Sequence, residues 1–226
     1  MILPVILVAI ATAPSGKNEW REAVASDTRQ VLQAYARCSA KLEPDLAARF
    51  VLMNDGERLP ERDFRRLFDG KCLGLRGGQM RMRAWRSRAA LAEALIVRNN
   101  DRFKRDSFAS VPPLEWTITQ PVPDVPTDAA AAQLHAQVSQ AEAQHAALGE
   151  CVSRADPVST LAVLKSKIDS DDEMAKLKAL APRIAGCVQQ GQTLAFNRTH
   201  LRAGMALAYY RLAAGPTGAR PTAGTN

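Results

Sequence analysis

Four cysteines divide the chain into two stretches of similar design. Cys38 and Cys72 are 34 residues apart, and Cys151 and Cys187 are 36 residues apart. Near-equal spacing within one chain favours an internal duplication, because repeated units place their landmarks at a fixed offset. Two copies are too few for a long solenoid, so we expect two related units that pack together.

Further landmarks recur in the same order at an offset of 113 residues, or 114 near the end of each unit. They are an acid-proline pair, a Gly-Gln pair and a helix that opens with Arg-Ala. The matched positions are 43–44 with 156–157, 78–79 with 191–192, 88–89 with 202–203, and Ala92 with Ala206.

Paired cysteines followed by an Arg-x-x-x-Ala helix resemble a pattern in uncharacterised exported proteins of alphaproteobacteria. The residues that carry this resemblance are Cys38, Cys72, Arg88 and Ala92 in the first stretch, and Cys151, Cys187, Arg202 and Ala206 in the second. It covers about residues 30–212. The resemblance implies export and brings no particular activity with it.

Composition and periodicity predict an all-α fold of two disulfide-bracketed helical units. Aromatic residues make up only 5% of the chain, which favours closely packed helices over a β-sandwich. Pro44 and Pro157 each suit the first position of a helix, where the missing N–H costs no hydrogen bond. The last helix should bury Leu201, Met205, Ala208, Tyr209 and Leu212.

Local signals also place finer details. Thr127 or Asp128 suits the N-cap of the first helix of the second unit. Val31 and Leu134 lie at helical spacing among the apolar positions of the first helix of each unit. Pro182 should kink its helix or restart it. In the Pro-rich linker, residues 116–118 are expected to dock on one unit as a short strand.

These patterns divide the chain into five segments. The predicted segments are a signal peptide at 1–13, helical repeat 1 at 17–106, a Pro-rich linker at 107–126, helical repeat 2 at 127–213 and a disordered tail at 214–226.

The N-terminal segment predicts export to the periplasm or beyond. Residues 2–13 are uncharged and shorter than the roughly 20 residues that a membrane-spanning helix needs, as in the apolar core of a secretory signal. Small residues suit cleavage after Ala11 or Ala13. A signal normally begins with Lys or Arg, which this segment lacks, so a buried N-terminal strand or helix is the alternative. We expect no transmembrane segment in the mature chain.

An even number of cysteines in an exported chain implies disulfides. Four cysteines allow three pairings, and the duplication selects Cys38–Cys72 and Cys151–Cys187. The alternative is a zinc site, which usually shows a Cys-x-x-Cys pair that this chain lacks. We therefore expect no metal and no other cofactor.

No established catalytic motif occurs in the sequence, so we assign no catalytic residue. His135 and His145 are interpreted as surface or helix-packing residues, and His200 as polar surface or, alternatively, a base. The acidic run 171–173 suits the positive end of a helix dipole.

A basic segment suggests the kind of partner. The net charge is +7, and residues 76–105 hold nine basic side chains against two acidic ones. Such a segment binds anionic polymers, lipids or nucleic acid, or is simply a solvated helix face. The candidate anion-binding residues are Arg81, Arg83, Arg86, Arg88, Arg102, Lys104 and Arg105.

Three functions follow from these features. The first is a non-enzymatic exported protein that binds an envelope protein or an anionic envelope polymer or lipid. The second is an envelope hydrolase with a site between the two units. The third, a nucleic-acid binder through residues 76–105, suits an exported protein least.

Overall fold

The computed structural model describes residues 19–54, 57–73, 83–116, 128–188 and 197–215. Within these ranges there are helices and no strand, which confirms the predicted all-α class. The order is α1 (Glu19–Leu42), α2 (Pro44–Leu52), α3 (Glu61–Leu67), a 3-10 turn (Gly70–Leu73), α4 (Ala84–Arg98), α5 (Asn100–Phe103), α6 (Ala129–Ala155), α7 (Pro157–Lys165), α8 (Asp171–Cys187) and α9 (Arg198–Ala214). The predicted signal segment, residues 117–126 of the predicted linker and residues 216–226 of the predicted tail lie outside the described residues.

Short polar side chains begin the helices of the second half. Asp128, predicted as a helix cap, accepts a hydrogen bond from the Ala131 amide at 2.7 Å. Asn197 does the same for α9, accepting from the His200 amide at 3.0 Å. Each cap satisfies an amide that has no partner inside the helix.

Two prolines begin helices as predicted, and a third lies inside a helix without interrupting it. Pro44 and Pro157 occupy the first turns of α2 and α7, and each of these helices has nine residues. Pro182 was predicted to kink or restart its helix, but α8 continues through it as one element. Pro182 is exposed, so the carbonyl that loses its hydrogen bond there can be solvated instead.

Helix α9 is the central element of the core. All five of its predicted core residues are buried, with Met205, Ala208 and Tyr209 fully so. The helix packs against α6 on one side and α4 on another. Because neighbours surround it, α9 is apolar over most of its circumference rather than along one stripe.

Helices α6 and α9 cross at backbone contact. Gly149 of α6 and Gly204 of α9 face each other there, and both are buried. A Cβ on Gly204 would collide with the carbonyl of His145, and one on Gly149 would collide with the backbone of Gly204. Only glycine permits this approach.

The described ends of α1 and α6 lie partly outside the core. Val31 and Leu134, which helical spacing placed among the apolar faces, are 49% and 62% exposed. Most residues of α6 from 129 to 144 are exposed or half-buried, and most become buried only from His145 onward. None of the described helices is long and apolar enough to cross a membrane.

Both predicted disulfides are present. Cys38–Cys72 joins α1 to the 3-10 turn with 5.5 Å between the Cα atoms. Cys151–Cys187 joins α6 to the last residue of α8, with a Cα–Cα distance of 5.8 Å. Each bond therefore joins a long helix to a cysteine more than thirty residues further along the chain.

The described part of the predicted linker is fastened to α6 rather than free. Arg154 donates to the carbonyls of Phe108, Val111 and Pro112 at 2.9, 2.8 and 2.6 Å. Trp116 donates from its indole nitrogen to Glu150 at 2.7 Å. The predicted docking of this segment is therefore observed up to Trp116, without a strand in the described residues.

A charged cluster lies in the core where four helices meet. Arg202 of α9 binds both Glu93 of α4 and Glu173 of α8, and Gln33 of α1 donates to Glu93. The side chains of Arg202, Glu93 and Glu173 are 5%, 7% and 0% exposed. Burial alone would lower the pKa of Arg202, but the two carboxylates outweigh it and raise that pKa.

Candidate anion-binding cleft

A cleft of about 690 Å³ opens between α2, the α4–α5 junction and the end of α9. Its volume lies within the range of small-molecule sites, roughly 300–1,000 Å³. The described residues that line it are Pro44, Asp45, Leu46, Ala48, Arg49, Leu52, Leu95, Arg98, Asn99, Arg102, Phe103, Arg105, Tyr210, Ala213 and Ala214. We call it the basic cleft, because four of these residues are arginines and one is acidic.

The four arginines differ in how they are held. Arg49 pairs with Asp63, so its charge is largely neutralised. Arg98 donates to the carbonyls of Ala40 and Lys41 at the end of α1, at 2.6 and 3.2 Å. These bonds fix the position of the Arg98 guanidinium without cancelling its charge.

Arg105 and Arg102 complete the charged wall. Arg105 donates to the carbonyl of Ala213 at 3.2 Å and so ties the segment after α5 to the end of α9. Arg102 lies with its guanidinium carbon 5.9 Å from the ring centroid of Phe103. Among the described residues, no carboxylate forms an ion pair with Arg98, Arg102 or Arg105.

The floor of the cleft is apolar and aromatic. Leu46, Leu95, Phe103 and Tyr210 line it and are each at least nine-tenths buried. The rings of Phe103 and Tyr210 lie 5.0 Å apart. Burial raises the pKa of Tyr210, and the nearby charge of Arg102 acts in the opposite direction. The Tyr210 hydroxyl therefore stays protonated at neutral pH and can donate a hydrogen bond.

The predicted anion-binding residues do not form one patch. Arg102 and Arg105 line the basic cleft, and Lys104 is exposed between them. Arg83 and Arg86 lie at the opposite end of α4, roughly 20 Å away for a helix of that length. Arg81 lies outside the described residues.

At the far end of α4 the arginines have other partners. Arg83 pairs with Glu142 at 2.7 Å, and Arg86 contacts the His200 ring at 3.3 Å. Arg88 is buried, and its guanidinium donates to the Met53 carbonyl at 2.7 Å. Burial and the neighbouring Arg211 lower the pKa of Arg88 to about 10, so it remains charged at neutral pH. Arg88 is thus an interior residue and is not available to a surface ligand.

Arg49, Arg98 and Tyr210 of the cleft were not among the predicted anion-binding residues. Arg49 comes from α2 and Tyr210 from α9, far from residues 76–105 in sequence. Arg98 belongs to the basic segment but was not selected. No local pattern indicates that α2, α5 and α9 meet, because their meeting depends on contacts between residues distant in the chain.

The histidines form a second polar cluster, beside Trp85. The rings of His145 and His200 stack with centroids 4.7 Å apart, and the Trp85 ring lies 6.2 and 6.4 Å from them. His145 is buried, which selects the packing role over the surface role of the two predicted for it, and His200 is half-buried. Burial, then His145 and Arg86, lower the pKa of His200. Within the described residues, no three metal-ligating side chains converge here or elsewhere.

Comparison with known proteins gives no match. No family model matches the chain, and no curated protein or solved structure is significantly similar to it.

The lining of the basic cleft determines what chemistry it offers. Among its described lining residues, Asp45 is the single acid, and none is His, Cys, Ser or Thr. The usual pairing of a nucleophile with a base does not occur among them. They offer positive charge above an apolar floor, and backbone carbonyls hold Arg98 and Arg105 in place. Such a lining suits a ligand with an anionic group.

Proposed function

We propose that the chain is a non-enzymatic exported protein that binds an anionic envelope partner in the basic cleft. One observation carries the proposal. Arg98, Arg102 and Arg105 converge on the same cleft, and no described carboxylate pairs with any of them. Positive side chains held without counter-charges favour an anion, and guanidinium forks bind carboxylates and phosphates with two parallel bonds.

Export is supported by the cysteine chemistry and by the N-terminal sequence. Disulfides persist in oxidising compartments such as the periplasm and the extracellular space. The two disulfides of the structure suit such a compartment. The uncharged apolar run at 2–13 also supports export, because it has the character of the apolar core of a secretory signal.

The export proposal is tested by intact mass and non-reduced peptide mapping of protein made with its own N-terminus in a bacterial host. We expect a mature chain that lacks residues 1–11 or 1–13 and contains both disulfides. A full-length chain with four free thiols would contradict export and would favour a cytosolic role instead.

We also propose that the two halves arose by duplication, as the cysteine spacing predicts. Supporting parallels are that α2 and α7 match at an offset of 113 residues at both ends, as do the last residues of α1 and α6. Arg88 donates to the Met53 carbonyl after α2, and Arg202 donates to the Ser166 carbonyl after α7, at the corresponding position. Superposition of residues 38–53 and 83–98 on 151–166 and 197–212 in a crystal structure tests this. Different crossing angles in the two halves would argue for chance similarity.

Binding is tested by heparin chromatography and by sedimentation with phosphatidylglycerol vesicles, using phosphatidylcholine vesicles as the neutral control. We expect retention and co-sedimentation that weaken as salt rises, because ions screen exposed charges. Arg102→Gln should reduce both. Arg62→Gln removes another exposed arginine, on α3 and outside the cleft, and should leave both nearly unchanged.

Two results would overturn the binding proposal. Elution at the same salt concentration for both variants would show that the cleft is not the binding surface. Tighter binding to duplex DNA than to the vesicles or heparin would favour the nucleic-acid alternative.

A further inference from the structure

The basic cleft differs from an ordinary basic patch in its apolar depth. Leu52 and the small side chains of Ala48, Ala213 and Ala214 continue the apolar lining beyond the aromatic pair of Phe103 and Tyr210. A polyanion that contacts only the arginines would leave this lining in contact with water. A ligand that also carries an apolar chain would cover it and gain from its burial.

We propose that the ligand is a single-chain amphiphile with one anionic head group, a carboxylate or a phosphate, of the kind found in fatty acids and lysophospholipids. This inference rests on the proposed binding function and specifies its ligand. The cleft volume of about 690 Å³ is far larger than a bare anion needs and suits a chain-bearing small molecule.

The head group has a definite place beside Arg102 and Tyr210. Arg102 has no ion-pair partner among the described residues, and its guanidinium stands against the face of Phe103, at the edge of the apolar floor. The Tyr210 hydroxyl donates to none of the described residues, so its proton is available. A guanidinium and a hydroxyl can together hold one anionic group while its chain lies on the floor.

Asp45 limits the charge of the ligand. It is the single carboxylate among the described lining residues, and it lies on α2. The one arginine of the cleft on the same helix, Arg49, pairs with Asp63, whereas Arg98, Arg102 and Arg105 come from α4, α5 and the segment after α5. A second anionic group near α2 would be repelled by it, so the wall of α2 favours a ligand with charge at one end only. This is the charge distribution of a single-chain amphiphile and not of a polymer with evenly spaced anions.

Isothermal titration of the folded, disulfide-bonded chain tests the inference. The probes are octanoate, nonanoate and decanoate below their micelle concentrations, octyl phosphate for the second head group, and octyl glucoside as the neutral head-group control. We expect one site per chain and affinity that rises by up to about fourfold for each added methylene. Octyl glucoside should bind at least tenfold more weakly than the anionic octyl compounds. Equal affinity for all chain lengths, or for the neutral head group, overturns the inference.

Variants separate the head group from the chain. Arg102→Gln should weaken decanoate binding by about tenfold or more, as expected for loss of a charge-assisted bond, whereas Arg62→Gln should not. Tyr210→Phe, which keeps the ring, should weaken binding less. Unchanged decanoate affinity in Arg102→Gln rejects the assigned head-group position and with it the inference.

Filling the cleft distinguishes this inference from the general binding function. Ala48→Trp and, independently, Ala213→Trp should abolish decanoate binding while heparin retention persists, since the arginines remain. Each melting temperature is measured, and two positions are used because either substitution alone risks disturbing the fold. If heparin is retained by the native chain but no amphiphile binds, the inference fails and the proposed function stands. If neither binds, the proposed function itself fails.

Discussion

Arg202 donates two hydrogen bonds to Glu93, at 2.9 and 2.8 Å, although the two residues are 109 positions apart in sequence. The same guanidinium donates to Glu173 at 2.7 Å and to the carbonyls of Leu164 and Ser166 at 3.0 and 2.9 Å. One side chain thereby joins α4, α8, α9 and the turn after α7. Since the residues are buried, each group depends on the others for the bonds it would otherwise make with water.

Breaking this cluster should be costly. Glu93→Gln removes one charge and leaves Arg202 incompletely paired in the interior, so we expect a loss of about 3–5 kcal/mol in the free energy of unfolding. Urea denaturation followed by circular dichroism measures it. The control is Glu61→Gln, which breaks the exposed Glu61–Arg65 pair and should change stability very little. Similar losses of unfolding free energy in the two variants would show that the buried cluster stabilises the fold no more than an exposed ion pair does.

The crossing of α6 and α9 predicts a position where one methyl group is not tolerated. In Gly204→Ala the new Cβ collides with the backbone of His145, so the two helices must move apart. We expect the free energy of unfolding to fall by about 1–3 kcal/mol or more. Gly186→Ala is the matched control, because Gly186 is helical and nothing lies within 4 Å of the position that a Cβ would occupy there. Gly186→Ala should leave the free energy of unfolding unchanged or raise it by up to about 1 kcal/mol. Equal thermal midpoints for the two variants would refute the close crossing.

The stacked histidines predict a pH dependence of stability. Burial, His145 and Arg86 lower the pKa of His200 in the folded chain, whereas an unfolded histidine titrates near about 6.5. Between those two pKa values the unfolded chain binds more protons than the folded one, so stability should fall as the pH decreases from about 6.5 toward the lower folded value.

Urea midpoints at neutral pH and at about pH 5 measure this effect. Among the described residues, the titratable or charged groups that face His200 are Arg86 from α4 and His145 from α6, and neither offers a negative charge. His200→Gln should therefore reduce the pH dependence, and His135→Gln, earlier on α6, should leave it intact. An unaltered pH profile in His200→Gln would assign the effect to other groups.

The second disulfide should contribute strongly to stability. Closing a loop of 36 residues restricts the unfolded chain and stabilises the fold by about 3–4 kcal/mol in the chain-entropy treatment. The double substitution Cys151→Ala and Cys187→Ala should lower the thermal midpoint clearly in non-reducing buffer. Addition of a reductant should lower the midpoint of the native chain further than that of the variant, which retains only Cys38–Cys72. A midpoint unchanged by the double substitution would rule out a structural role.

The helix boundaries were largely predictable because they depend on neighbours in sequence. Pro44 and Pro157 begin helices for a local steric reason, and Asp128 caps α6 by bonding an amide three residues away. The five predicted core positions of α9 followed from helical periodicity. The cysteine pairing followed from spacing alone, since a repeated offset selects one pairing of three.

The candidate site was only partly predictable. A run of arginines indicates positive charge, but α4 turns by about 100° per residue and separates them. Arg86 faces His200, Arg88 is buried against Met53, and Arg102 and Arg105 come to the cleft beyond the end of α4. Glu173 was interpreted as an acid of a helix start. It accepts a bond from the Asp169 amide at that start and also binds Arg202 in the core.

The sequence by itself determined the helical class, the helix starts, the core face of α9 and the pairing of the cysteines, because short-range sterics, periodicity and spacing fix these features. Only the tertiary structure decided which arginines are buried and which meet at the basic cleft. The position of each arginine depends on which neighbouring helices supply carbonyls or carboxylates to its guanidinium. It also depends on the free-energy cost of removing that guanidinium from water. Both are set by contacts between residues a hundred or more positions apart, such as Arg202 with Glu93 and Arg105 with Ala213.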